Sequence, residues 1–460
     1  MASEKRTANA ITEGVIWKQL LLFFFPILLG TFFQQLYNTA DAMIVGRFVS
    51  KEALSAVGGT TNTIINLLIG FFVGLSSGAT VIISQFFGAR QREDVSRAVH
   101  TSVALAIAGG IVLTVVGIVS APWALGLLNT PEDVVGHAQI YLRIYFAGTI
   151  GNLIFNIGSG ILRAIGDSKR PLYVLIACCG INIALDLLFV LVIPMGVAGA
   201  GLATIISQLV SAGLVLWLLA RSGEDFRVHP SKVRLHRDLL GRIFRIGLPA
   251  GMQSVFYSLS NMTIQSSINT FGTDIIAGWT VYGKIDGIFW MMMGAFGISI
   301  TTFVGQNYGA RQFARVKKGV RVCLGLAFGA SALLCVVIYL FGSAITHLFT
   351  DDPSVVEQSR FIIQYMVPYF LTYVCIEILS GALRGSGDSL RPMLMTCFGV
   401  CGTRVLWVLL AVPYFKTFTS VMVSYPISWT LTSVLFIIYY RYISALRNLN
   451  FDVPMSHSNP

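Results

Sequence analysis

The chain has 460 residues, 55% hydrophobic and 12% charged, with a formal net charge of +11 and a mean hydropathy of +0.74. A soluble domain carries about 25% charged residues, so a water-soluble globule is excluded. The basic surplus would suit nucleic acid, but the placement of the charges, described below, removes that reading and no nucleic-acid partner is expected.

Apolar runs of about 20 residues, the length that crosses a bilayer as a helix, recur along the whole chain. Twelve are predicted, near 15–38, 54–87, 98–121, 138–161, 172–194, 197–220, 243–270, 276–305, 320–347, 358–382, 392–414 and 418–440. They are too long and too evenly apolar for the alternating strands of a membrane barrel. The first leads into QQLYNTADAMIVGRF, residues 34–48, which sets Asp41 at membrane depth. An aspartate at a helix centre costs about 2.5–3.5 kcal/mol, so such residues face the bundle interior and are functional candidates by default. Tyr37 and Asn38 precede Asp41 by one turn and share its face. Pro26, earlier in the same helix, removes a ladder hydrogen bond; a hinge and a plain distortion both fit it.

Later helices add polar residues of the same kind. Asn156 lies in NLIFNIGSG on the fourth, Asn182 and Asp186 in INIALDLLF on the fifth, and Thr204 in GVAGAGLATIISQ on the sixth. Two neighbouring carboxylates in a low dielectric cannot both stay ionised cheaply, so one retains a proton. Alternatively a small hard cation replaces it, and Na⁺ is possible at Asp41, Asn182, Asp186 and Thr204. A buried aspartate bonded for packing alone explains the same residues, and both readings stand at this stage.

The second half differs. Its first helix, GMQSVFYSLSNMTIQSSINT, has hydroxyls and amides but no acid, and the next, VYGKIDGIFWMMMGAFG, carries Lys284 and Asp286. Structural ion pairs are the leading reading for Lys284, Asp286, Glu377 and Arg404. Met292 and Phe296, with Asp286 and Glu377, fit an adaptable substrate cavity as well as they fit ordinary helix packing. The seven cysteines lie in apolar segments without a C-x-x-C pair, which points to packing rather than disulfides or zinc. No cleavable signal peptide is expected.

Lys and Arg concentrate in RTANA, GARQREDVSR, LRAIGDSKRP, RSGEDFRVHPSKVRLHRDLLGRIFR, GARQFARVKKGVR, LRGSGDSLRP and RYISALR; only Arg47, Lys51, Arg143, Arg360 and Lys416 fall at the other face. The positive-inside rule then sets both termini in the cytoplasm. The chain also repeats itself. QFFGARQ (85–91) returns as QNYGARQ (306–312), and LRAIGDSKRP (162–171) as LRGSGDSLRP (383–392), both offset by 221 residues. Six helices per half make the halves parallel repeats, related by an axis along the membrane normal. The expected fold class is all-α integral membrane, with twelve transmembrane helices in two six-helix lobes. Expected boundaries are a tail 1–14, an N-lobe 15–221, a linker 222–240, a C-lobe 241–441 and a tail 442–460. The repeated motifs read as helix ends, with i,i+4 pairs expected between Arg163 and Asp167 and between Arg384 and Asp388.

QQLYNTADAMIVGRF, the paired GARQ and LR-x-x-GDS-x-RP motifs and GVAGAGLAT together resemble the multidrug and toxic compound extrusion (MATE) transporters, over about residues 15–440. The resemblance implies export of cationic or amphipathic small molecules in exchange for H⁺ or Na⁺, with no other cofactor and no enzyme activity. The first-half cluster is similar to that of the DinF-like branch. This implies that Tyr37, Asp41, Asn156, Asn182, Asp186, Ala200 and Thr204 form the cation site and that Pro26 marks the bend of helix 1. The helix-7 acid of the NorM-like branch is missing, and Tyr373 stands where its helix-10 acid would fall, which favours coupling through the first half. A monomer in the lipid bilayer of the cell membrane is expected. The alternatives are a flippase for lipid-linked precursors, which should show a basic cavity, a channel, and a membrane enzyme, which needs mid-span His or Cys clusters.

Overall fold

A computed structural model describes residues 11–128, 130–223, 226–350, 352–444 and 446. The terminal tails expected at 1–14 and 442–460 therefore lie largely outside the described residues. The helices are α1 Ile16–Phe48, α2 Lys51–Gly58, α3 Thr60–Gly88, α4 Arg92–Leu127, α5 Glu132–Ala147, α6 Thr149–Ala164, α7 Lys169–Asp186 and α8 Gly196–Ala220. After the linker come α9 Arg237–Ile268, α10 Thr273–Gly309, α11 Phe313–His347, α12 Pro353–Met366, α13 Phe370–Gly385, α14 Leu390–Thr396, α15 Thr403–Leu410, α16 Val412–Phe415 and α17 Phe418–Ile438. Ten helical stretches among the described residues are long and apolar enough to cross a membrane. An eleventh is the pair α5–α6, bent by 49° at Gly148, where a single helix was expected over 138–161. The remaining long helix, α9, has 32 residues and the length to span, but its hydroxyls and amides keep it outside the apolar set.

Two compact units emerge. One spans Leu21–Met262; the other joins the segment ending at Leu20 to the chain from Thr263 onward. The division falls inside α1 and α9, not in the linker. In the first unit the α9 backbone crosses α3 closely: a side chain on Gly74 would strike Gly251, and one on Gly247 would strike the Leu75 carbonyl. Small residues at four-residue spacing on both helices allow this approach, in the manner of membrane small-xxx-small contacts.

The repeat is conformational as well as sequential. Arg90 and Arg311 have left-handed φ of 60° and 56°, and Gly166 and Gly387 have φ of 96° and 97°. Each ends a helix by the same six-to-one bond: Gln91 N–H to the Phe86 carbonyl, Gln312 to Asn307, Asp167 to Leu162 and Asp388 to Leu383. Such left-handed closures satisfy the last carbonyls of a helix. The expected i,i+4 pairs are not formed. Asp167 instead pairs with Arg170 at 3.1 Å and Asp388 with Arg391 at 3.5 Å, because the left-handed glycine turns each acid toward the next helix. Asp167 Oδ1 there accepts the backbone N–H groups of Lys169 and Arg170.

The first unit has two apolar cores. One gathers Val45, Leu113, Phe146, Val190 and Ala200; the other gathers Val99, Ile161, Cys178, Val215 and Ile243. Along α7 and α8, Asn182, Asp186 and Thr204 fall between members of the two.

Candidate cation-coupling site

Asp41, on α1, is 3% exposed, and Asp186, the last residue of α7, is 0% exposed. Asn182 and Thr204 are equally enclosed, at 1% and 3%. Asp41 faces Asp186 and Asn182 directly. Thr204 Oγ1 lies 3.2 Å from Asp41 Oδ2 and 3.0 Å from the Ala200 carbonyl, so its single proton serves one acceptor at a time. Asp41 Oδ1, both Asp186 carboxyl oxygens and both polar atoms of the Asn182 amide are buried without a hydrogen bond. Buried polar atoms are nearly always paired, so a group of such atoms around two acids marks a place built to hold something. Immediately after Asp186 the helix widens into a π segment, Leu187–Val192, a local distortion common at functional sites.

Two tyrosines missed in the sequence complete this neighbourhood. Tyr141 and Tyr145 on α5 are buried at 5% and 8% exposure, Tyr141 in hydrogen-bond reach of Thr204 and Tyr145 of Gln208. Their i,i+4 spacing, matched by Thr204 and Gln208, was the available signal. Tyr37 is half-buried and reaches Gln34, with Tyr145 and Asp41 in electrostatic range. The Asn156 amide donates to the Asn152 carbonyl and to Asn152 Oδ1, both at 2.9 Å. Pro26 lies inside an unbroken α1.

The second unit treats its acids differently. Asp286 accepts from Trp290 Nε1 at 2.6 Å and from the Tyr282 hydroxyl at 3.4 Å. Glu377 accepts from the Tyr373 hydroxyl at 3.1 Å and packs against Gly297. The expected ion pairs are not among the described contacts. Lys284 is exposed, Arg404 bonds to Ser428, and aromatic N–H and O–H groups one turn away satisfy Asp286 instead. Of the residues expected to line a cavity, Met292 is 9% exposed and Phe296 1%, which makes Phe296 a core residue in this conformation.

The MatE family matches residues 26–188 and again 249–410, one match in each half. A probable multidrug resistance protein, YoeA of Bacillus subtilis, is 29% identical over 93% of this chain and 94% of its own length. Two solved structures superpose with a TM-score of 0.89 at 22% identity, covering 96% of this chain and 99% of theirs. One is an outward-facing multidrug resistance MATE family transporter of the MOP superfamily. The other is a MOP superfamily transporter of Pyrococcus furiosus, described as having a binding pocket of reversed polarity that suggests a different function. At that identity they speak for the fold, and the family assignment stands on the doubled match along the chain. The chain is a multi-pass, all-helical membrane protein that belongs to the MATE family of transporters.

Proposed function

We propose that the protein is a secondary active antiporter that exports cationic or amphipathic small molecules in exchange for H⁺ or Na⁺, coupled through the Asp41–Asp186 pair. The observation that carries this reading is the convergence of two enclosed carboxyl groups whose oxygens are left largely unpaired. The carboxyl, amide and hydroxyl oxygens of Asp41, Asp186, Asn182 and Thr204 are the hard donors that a small cation takes, and the same pair serves equally as a proton carrier. Loading neutralises the cluster; unloading restores charge in a low dielectric, where it is costly. Alternating occupancy therefore shifts the balance between two arrangements of the surrounding helices, by as much as the cation binds one better than the other. A gradient of one pH unit supplies about 1.4 kcal/mol per proton, and one charge moved across 100 mV about 2.3 kcal/mol.

With both termini cytoplasmic, as the placement of Lys and Arg supports, export follows an inward cation gradient. The test is transport of a fluorescent cation in proteoliposomes under separately imposed pH and Na⁺ gradients. Export that responds to one of them supports the reading; efflux indifferent to both contradicts it.

A further inference from the structure

Arg404, at 2% exposure, is the one Asp, Glu, Lys or Arg among the described residues of the second unit that is fully buried. It opens α15 directly after the π segment Cys397–Gly402. Its Nε donates to Ser428 Oγ at 3.0 Å, and its guanidinium lies 4.1 Å above the Tyr425 ring and 5.3 Å from the Trp429 ring. Nη2 is buried and has no hydrogen-bond partner. An arginine at membrane depth is costly unless an acid or a ligand compensates it, and no acid stands in ion-pair contact with Arg404 among the described residues. Asp286 lies within electrostatic range of Arg404, yet its carboxylate is held by Trp290 and Tyr282. The guanidinium is thus charge-compensated at a distance and leaves a donor free. Around it stand aromatic rings, Trp290 with Tyr373 at 4.7 Å and Tyr425 with Trp429 at 5.4 Å.

We propose that Arg404 is the anion-recognising point of a binding site for aromatic zwitterions in the second unit. The ligand's carboxylate takes Nη2, its ammonium group faces Asp286, and its ring packs among Trp290, Tyr373 and Trp429. Arginine suits this task because its planar fork meets a carboxylate with directed, charge-assisted bonds. Half-buried Tyr425, stacked on the guanidinium, is the cover that moves aside. The assignment deepens the export reading and rests on it for its meaning, but it concerns binding alone and is read without any gradient.

The test uses the full chain in lipid nanodiscs and two fluorescent probes that differ by a single carboxylate, Nε-dansyl-lysine and dansylcadaverine, with binding to empty nanodiscs subtracted. A charge-assisted hydrogen bond corresponds to about tenfold in affinity, so dansyl-lysine binds the unmodified protein tighter by about that factor. In Arg404→Gln the preference falls to parity or reverses. Arg404→Lys keeps the charge but not the fork and retains only part of the preference, which keeps the test open where the glutamine variant fails to fold. Equal or tighter binding of dansylcadaverine to the unmodified protein overturns the proposal, as does a preference that survives unchanged in either variant. Asp41→Asn is expected to keep the full preference, so failure of coupling and failure of this site are told apart.

Discussion

Each unit holds a pair of acids in its helical interior, fully buried in the first and half-buried in the second, and the two pairs are treated oppositely. In the first, Asp41 and Asp186 come from different helices and face each other with most of their oxygens unpaired. In the second, Asp286 and Glu377 each accept from aromatic residues one turn away on their own helix. A carboxylate already satisfied by fixed donors gains little from a mobile cation, whereas one short of donors gains a great deal. Burial alone therefore does not identify a coupling acid; burial with unmet valence does.

The sharpest way to break this contrast is to neutralise each acid in turn. Asp41→Asn or Asp186→Asn is expected to reduce gradient-driven export to the level of empty liposomes, with the protein still folded by size-exclusion chromatography. Asp286→Asn keeps an acceptor for Trp290 and is expected to lower transport only a few-fold; complete loss of coupling there would erase the distinction between the units. Next in size is the α3–α9 crossing. Gly251→Leu forces a side chain into the Phe71 carbonyl, where overpacking costs about 1–3 kcal/mol, and a clear fall in Tm is expected. Asp167→Ala removes an acceptor of two backbone N–H groups and costs about 1 kcal/mol, as lost helix caps do, with transport unchanged.

The smallest effect concerns the linker. His236 Nε2 accepts from Arg234 at 3.0 Å, and Nδ1 lies 2.8 Å from the Thr101 hydroxyl, an arrangement that needs the neutral ring. Burial, with Arg234 and Arg97 nearby, holds its pKa below the ordinary value. A histidine so depressed contributes stability that is fully present above its unfolded value of about 6.5 and is lost as pH falls from there through the lower folded value. Amide protection factors in residues 226–236, corrected for the pH dependence of the chemical exchange rate, are expected to fall on acidification below that unfolded value and not in His236→Gln.

Much of the fold was legible because bilayer length and hydropathy are local properties, and the repeat was legible because its motifs are near-identical. The bend at Gly148 and the division inside α1 and α9 arise from tertiary packing that no single segment encodes. Asp41, Asn182, Asp186 and Thr204 were found because polar residues in apolar runs stand out. Asn156 stood out in the same way, and its amide is seen to donate to Asn152, one turn away in the same NLIFN stretch. Tyr141 and Tyr145 were overlooked because tyrosine is unremarkable at a membrane helix end, and the Asp167 and Asp388 partners depended on a left-handed glycine that spacing alone does not reveal.

Cation release by the purified protein addresses the shared pair most directly. Saturating the detergent-solubilised transporter with a cationic substrate in weakly buffered solution, with a pH electrode and a Na⁺ electrode in place, is expected to liberate a proton or a sodium ion from the unmodified chain. Asp41→Asn and Asp186→Asn should each liberate none. Undiminished release from the two single variants, or from the variant lacking both acids, would contradict the account.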